Sequence, residues 1–135
     1  MHLVTAKRAV FFCMLLATLS LSAKKPAQQA AIIRTIQPMG QNWELVLDYV
    51  EIRTCNCDAG FEIVNNNSKI RRLTADRQTR IYLLKNAADF IEVKMEDLLQ
   101  ARDGKNYGWP FDKETPFDFK LEKNRILEIR QQYFP

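Results

Sequence analysis

Cys55 and Cys57, separated only by Asn56, are the residues of this chain whose type and spacing point most directly to chemistry. In extended chain both side chains face the same way, with Cα atoms about 6.5 Å apart at a strand rise of about 3.3 Å per residue. That is near the upper limit for a disulfide, and a turn brings such a pair closer. Three chemistries fit. One is a local disulfide that rigidifies a turn in an oxidising compartment. The second is a redox-active or thiol-exchange pair, more easily reduced if its ring is strained. The third is a pair of thiolates for a soft ion such as Cu(I). The local disulfide is the expectation. Arg53 favours a thiolate here, whereas Glu51 and Asp58 oppose it.

A second group is aromatic. Tyr107, Trp109, Phe111, Phe117 and Phe119 fall close together, with Lys105, Lys113 and Lys120 between them. Phe117 and Phe119 alternate with polar residues and are expected in the core. Gly and Pro around Tyr107 and Trp109 argue for an exposed loop. The ligand-contacting candidates are therefore Tyr107, Trp109 and Phe111, with Lys105 and Lys113 beside them, against the plainer reading that Trp109 plugs one end of the core.

Carboxylates form a third group: Asp112, Glu114 and Asp118, and separately Glu96 and Asp97. Glycoside hydrolysis needs two carboxyls across one cleft, about 5–9.5 Å apart. A calcium loop needs a tighter Asp/Asn/Gly pattern than this one. Solvated surface charge is the default for all five. Asn66-Asn67-Ser68 matches a glycosylation sequon, which a polar turn explains equally well.

What is missing narrows the choice further. The single histidine is His2. It lies in a stretch that reads as a leader: Lys7-Arg8, an apolar run over residues 9–17, then a small-residue exit ending at Ala23, the layout of a secretory signal peptide. The run is shorter than the roughly 20 apolar residues of a membrane span. Residues 1–23 are expected to be removed, leaving a secreted or periplasmic chain with no histidine. That excludes Ser-His-Asp and Cys-His catalysis and His-containing zinc sites. The alternative is a membrane-anchored chain whose N-terminus stays uncleaved or is lipidated at Cys13, in Val10-Phe11-Phe12-Cys13. Against it, the apolar run continues past Cys13 through Met14-Leu15-Leu16.

The whole chain has 20 basic and 16 acidic residues, a net charge of +4. Without Lys7 and Arg8 it has 18 and 16, a net of +2. Charges alternate in sign along most segments. The densest basic stretch, Lys69, Arg71, Arg72, Arg77 and Arg80, is interrupted by Asp76. This argues against nucleic-acid binding, which shows a clustered basic face.

About 110 residues after the leader make one small domain. Residues 24–41 read as a flexible linker, closed by Pro38 and Gly40. Residues 42–135 read as a single β-rich domain. Its first strand, from Asn42, is apolar on both faces: Trp43, Leu45, Leu47 and Tyr49 on one, Val46, Val50 and Ile52 on the other. That suits a strand that bends and closes a barrel. Short strands are expected over 61–64, 69–74 and 80–84, with turns at Asp58-Ala59-Gly60, at 65–68 and at 86–89. The only helix expected in this domain covers 95–101, with Glu96 and Asp97 at its start and Gly104 ending it. A terminal hairpin follows, 117–121 and 125–130, turning at Glu122-Lys123-Asn124.

This order resembles an OB-fold, a small Greek-key barrel with a helix before its fourth strand, over roughly residues 42–134. The ending, from Phe117-Asp118-Phe119-Lys120-Leu121 through Gln131-Gln132-Tyr133-Phe134-Pro135, is similar to small uncharacterised secreted bacterial proteins, which implies no activity. The OB-like resemblance implies that aromatic faces and loops bind sugars, peptides or single strands by stacking. The alternative fold is an α+β single sheet with one helix, cystatin-like or PepSY-like, which needs a longer helix. The resulting expectation is a secreted binding or structural module for a protein, peptide or glycan ligand, with no cofactor. The alternative is a thiol-disulfide redox protein using Cys55 and Cys57.

Overall fold

A computed structural model describes residues 25–66, 69–105 and 108–134. The expected leader with His2 and Cys13, the sequon residues Asn67 and Ser68, and the ligand candidate Tyr107 lie outside the described residues. The structure is mainly β. Its strands are β1 (Ala27–Met39), β2 (Asn42–Tyr49), β3 (Glu51–Thr54), β4 (Phe61–Val64), β5 (Ile70–Ala75), β6 (Arg80–Leu84), β7 (Phe90–Val93), β8 (Phe117–Glu122) and β9 (Arg125–Gln131). Helix α1 (Met95–Arg102) lies between β7 and β8.

Five of these strands close into a ring in the order β5-β2-β1-β8-β9. Neighbours are antiparallel except at the closure, where β9 runs parallel to β5, with Thr74 opposite Arg125. This is an OB-like barrel order, and the closure separates it from a single open sheet. Two additions decorate the ring. Strands β3 and β4 form a separate hairpin. Strand β6 continues along β9 beyond the end of β5, and β7 pairs with β6 alone, at the end of the seven-stranded order.

The linker expectation for residues 24–41 is corrected. Residues 27–39 form β1, the longest strand, with β8 along its first half and β2 along its second. Its Ala27-Gln-Gln-Ala-Ala31 start lacks bulky alternation because only its last residue is fully buried, and that position holds a small side chain. Ala31 is fully buried, level with Tyr49 on one side and Phe117 on the other. Pro38 sits where β1 has a ring partner only in β2, so its missing N–H costs no ladder bond. A register slip between Ile33 and Thr35 bends β1 as it changes partners. Arg102, from the last turn of α1, donates to the Ile33 carbonyl beside that slip at 2.9 Å.

The core is built from alternating inward residues: Leu45 and Leu47 of β2, Leu73 of β5, Ile81 and Leu83 of β6, Phe117 and Phe119 of β8, and Ile126 and Ile129 of β9. Met95, Leu98 and Ala101 of α1 complete it. The helix begins where Asp97 accepts the Lys94 N–H at 2.9 Å and ends at Gly104, whose φ of +98° suits glycine. Residues 90–93, assigned to no element from sequence, form β7.

Candidate functional site

The aromatic segment is anchored to the barrel. Trp109 N–H donates to the Leu84 carbonyl at 2.9 Å. Gln131, only 1% exposed, joins the same two residues: its Oε1 accepts the Leu84 N–H at 2.7 Å and its Nε2 donates to the Trp109 carbonyl at 3.0 Å. The approach is so close that a Cβ on Gly108 would lie 2.5 Å from the Lys85 carbonyl oxygen. The Trp109 ring packs on Tyr133 at 5.0 Å, and Phe111 meets core Phe117 edge-on at 5.1 Å. Phe117 and Phe119 are buried, as expected. Lys105 and Lys113 are exposed. Of the described candidates, the two aromatics are thus half-buried against the barrel, and none of the four lines either cavity described below.

The cysteines meet at the tip of the β3–β4 hairpin. Their sulfurs are paired, and their Cα atoms are 5.3 Å apart, closer than in extended chain because the tip turns. Cys55 N–H donates to the Gly60 carbonyl at 3.2 Å and Gly60 N–H to the Cys57 carbonyl at 2.9 Å, with Gly60 at φ +78°. Cys57 is exposed and its sulfur lies 3.4 Å from the Phe61 carbonyl oxygen. Arg53, which the sequence offered as a thiolate partner, is engaged by Glu51 at 2.8 and 2.9 Å. That pairing holds the Glu51 carboxyl below its ordinary range. Phe61 packs on Phe134 at 4.6 Å. The successive residues Tyr133 and Phe134 therefore link the Trp109 segment to the cysteine hairpin, a connection that spacing in sequence does not reveal.

The carboxylates disperse into structural work. Asp112 accepts from the Glu114 N–H and the Thr115 hydroxyl in a turn. Arg34 Nη1 donates to both carboxylate oxygens of Glu114 at 3.0 and 3.1 Å, and its Nη2 donates to Asp48 at 2.8 Å. Asp97 caps α1. Asp118 is bonded by the Gln132 amide, yet desolvation pushes its carboxyl above the ordinary range.

A groove of about 520 Å³ opens elsewhere, where β5 gives way to β6. Residues 76–79 make the break. Asp76 Oδ1 accepts the Gln78 N–H at 2.8 Å, and the Thr79 hydroxyl reaches the Ile126 carbonyl at 2.7 Å. Arg125 donates to Asp76 at 2.8 Å and, as the largest cause, holds its carboxyl below the usual range. Across the break β5 keeps β2 as its neighbour while β6 takes β7, so the wall parts between them. Trp43, Ile81, Val93 and Met95 give the groove an apolar patch, and the rest of its lining is polar, with Arg77, Glu92, Lys94 and Glu96 bringing both signs of charge. These four charged residues are exposed and Trp43 is half-buried. Sequence reasoning missed this site because its residues come from three separate segments, 41–43, 76–81 and 92–96. The one local signal was an indole two residues after the Gly40-Gln41 turn.

A smaller cavity of about 370 Å³ lies on the outer face of β1, β8 and β9, lined by Asp118, Lys120, Glu128 and Arg130 among others. Lys120 and Arg130 both pair with Glu128, and the Arg130 guanidinium lies 4.7 Å from the centres of the Tyr82 and Phe90 rings. That polar lining is largely matched to itself.

Among the described residues no three His, Cys, Asp or Glu side chains gather to hold a metal ion, and no helix is long and apolar enough to cross a membrane. Compared with known proteins, the chain matches no protein-family model, no curated protein and no solved structure.

Proposed function

We propose that this chain is a small exported binding module that holds its ligand in the groove beside Trp43. The observation that carries the reading is the groove itself: an apolar patch centred on Trp43 and Val93 within a larger polar lining that carries both signs of charge, in the size range of small-ligand and peptide sites. Trp109 and Phe111 are committed to holding their own segment, which moves the binding surface away from them. Export is supported by the Lys7-Arg8 and apolar-run leader and by a cysteine pair suited to an oxidising compartment.

The test uses tryptophan fluorescence. The two tryptophans are Trp43 and Trp109, so Trp109→Phe leaves Trp43 as the sole reporter. Titration with panels of short peptides, amino acids and oligosaccharides is expected to shift its emission with at least one class. Arg77→Ala with Lys94→Ala is expected to weaken that response. No response from Trp43 to any class, or a response unchanged in the double variant, overturns the reading.

A second reading, thiol-disulfide exchange, rests on the exposed Cys57 sulfur at the hairpin tip. It requires catalysed insulin reduction above the level of the Cys55→Ser, Cys57→Ser double variant, and equal rates dismiss it.

A further inference from the structure

We infer that the groove takes an extended peptide segment, which adds as a further strand on the free edge of β7, with an apolar side chain in the groove and charges of both signs flanking it. The inference rests on the groove reading and names its ligand class. The β6–β7 register fixes which backbone groups are free. Lys85 N–H donates to the Asp89 carbonyl at the hairpin turn. Counting outward by twos, Leu83 with Ile91 and Ile81 with Val93 are the pairs that exchange ladder bonds. The Leu84 groups confirm the phase, since they point the other way, to Gln131 and Trp109. Phe90 and Glu92 therefore turn their N–H and C=O away from β6, and β7 ends the strand order. Glu92 also lines the groove.

An exposed sheet edge is a template for main-chain pairing, and an adjacent pocket supplies side-chain selectivity. Both occur together here. The four residues of β7 offer about 13 Å of edge at about 3.3 Å per residue, enough for three or four peptide residues. Charge separates the ligand classes. Asp76 is already matched by Arg125, which leaves Arg77 and Lys94 against Glu92 and Glu96. A polyanion such as a nucleic acid meets two carboxylates on this rim. A segment with one basic and one acidic residue around an apolar one complements all four.

The probe is acetyl-Lys-Val-Leu-Val-Glu-amide, followed by amide NMR of the oxidised, isotope-labelled protein. Two further versions are N-methylated at alternate amides, one on odd and one on even positions. A strand paired along one edge uses alternate residues only. The expected result is shifts at Glu92, Val93 and the Trp43 indole, with one methylation pattern weakening binding about tenfold or more and the other tolerated. Glu92→Pro removes an outward N–H without breaking a β6 bond, and is expected to weaken the parent peptide more than Glu92→Ala does. Both methylated forms binding like the parent overturn strand addition and leave the groove reading standing. Shifts at the groove with maltotriose but not with the peptide overturn the peptide class alone. Peptide shifts confined to other surfaces overturn this inference and count against the groove.

Discussion

Gln131 and Trp109 are joined by a hydrogen bond that ties an irregular segment to the end of a barrel strand. Gln131 Nε2 donates to the Trp109 carbonyl at 3.0 Å, and its Oε1 takes the Leu84 N–H at 2.7 Å. One buried amide thus stands in for a missing stretch of strand. Gln131→Leu leaves two backbone groups without that partner, at about 1–3 kcal/mol for each that stays buried. Urea unfolding is expected to show a loss of about 2–4 kcal/mol, with red-shifted Trp109 emission in a Trp43→Phe background.

Gly108→Ala attacks the same junction from the backbone. Its Cβ would press on carbonyl oxygens of Leu84 and Lys85, 2.6 and 2.5 Å away. Main chain yields less readily than a flexible side chain, so a cost of about 1–3 kcal/mol is expected in thermal or urea melts.

Ala31→Leu tests whether β1 belongs to the core. Ala31 is fully buried level with Phe117, and a larger side chain there is expected to cost about 1–3 kcal/mol by overpacking. A substitution without effect on the urea midpoint would return residues 27–31 to the status of a tail.

Two acids give opposite pH signatures. The Asp76 carboxyl is held down by Arg125, so its contribution is present above the ordinary carboxylate pKa of about 3.9 and is lost as pH falls through its lower folded value. Both partners are part-exposed, which limits the pair to about 1 kcal/mol or less. Desolvation pushes the Asp118 carboxyl up, so its ionisation costs stability as pH rises through the ordinary range and on to its raised value. Asp76→Asn is expected to flatten the acid limb of a stability–pH curve. Asp118→Asn is expected to stabilise at neutral pH, with the gain vanishing below about pH 3.

The disulfide closes a very short loop. Chain entropy assigns such a ring about 1.5 kcal/mol, well below what a long-range bridge contributes. The Cys55→Ser, Cys57→Ser variant is expected to keep the barrel. Its amide shifts should be confined to β3, β4 and the Phe134 contact, and its urea midpoint should fall only slightly.

Legibility in the sequence followed the range of each interaction. Strand β8 was plain because Phe117, Phe119 and Leu121 alternate with Asp118 and Lys120, and the α1 boundaries were plain because Asp97 and Gly104 act within a turn. Cys55 and Cys57 were legible as a pair for the same reason. Strand β1 was not, since Ala31 earns its place only by what Tyr49 and Phe117 leave room for. The groove was not, since Trp43, Ile81 and Glu92 meet only after the wall has parted. Asp76, an interruption in a basic run when met in sequence, is the anchor of that parting.

The parallel closure also sets an order of events. β9 follows every other element along the chain, yet it borders β8, β5 and β6. A chain delivered from its N-terminus, at a ribosome or through a membrane pore, has no closed ring until this last strand arrives. Pairings of such wide sequence separation form slowly. Until then β5 and β6 lack their shared neighbour, and the ring stays open along both of them.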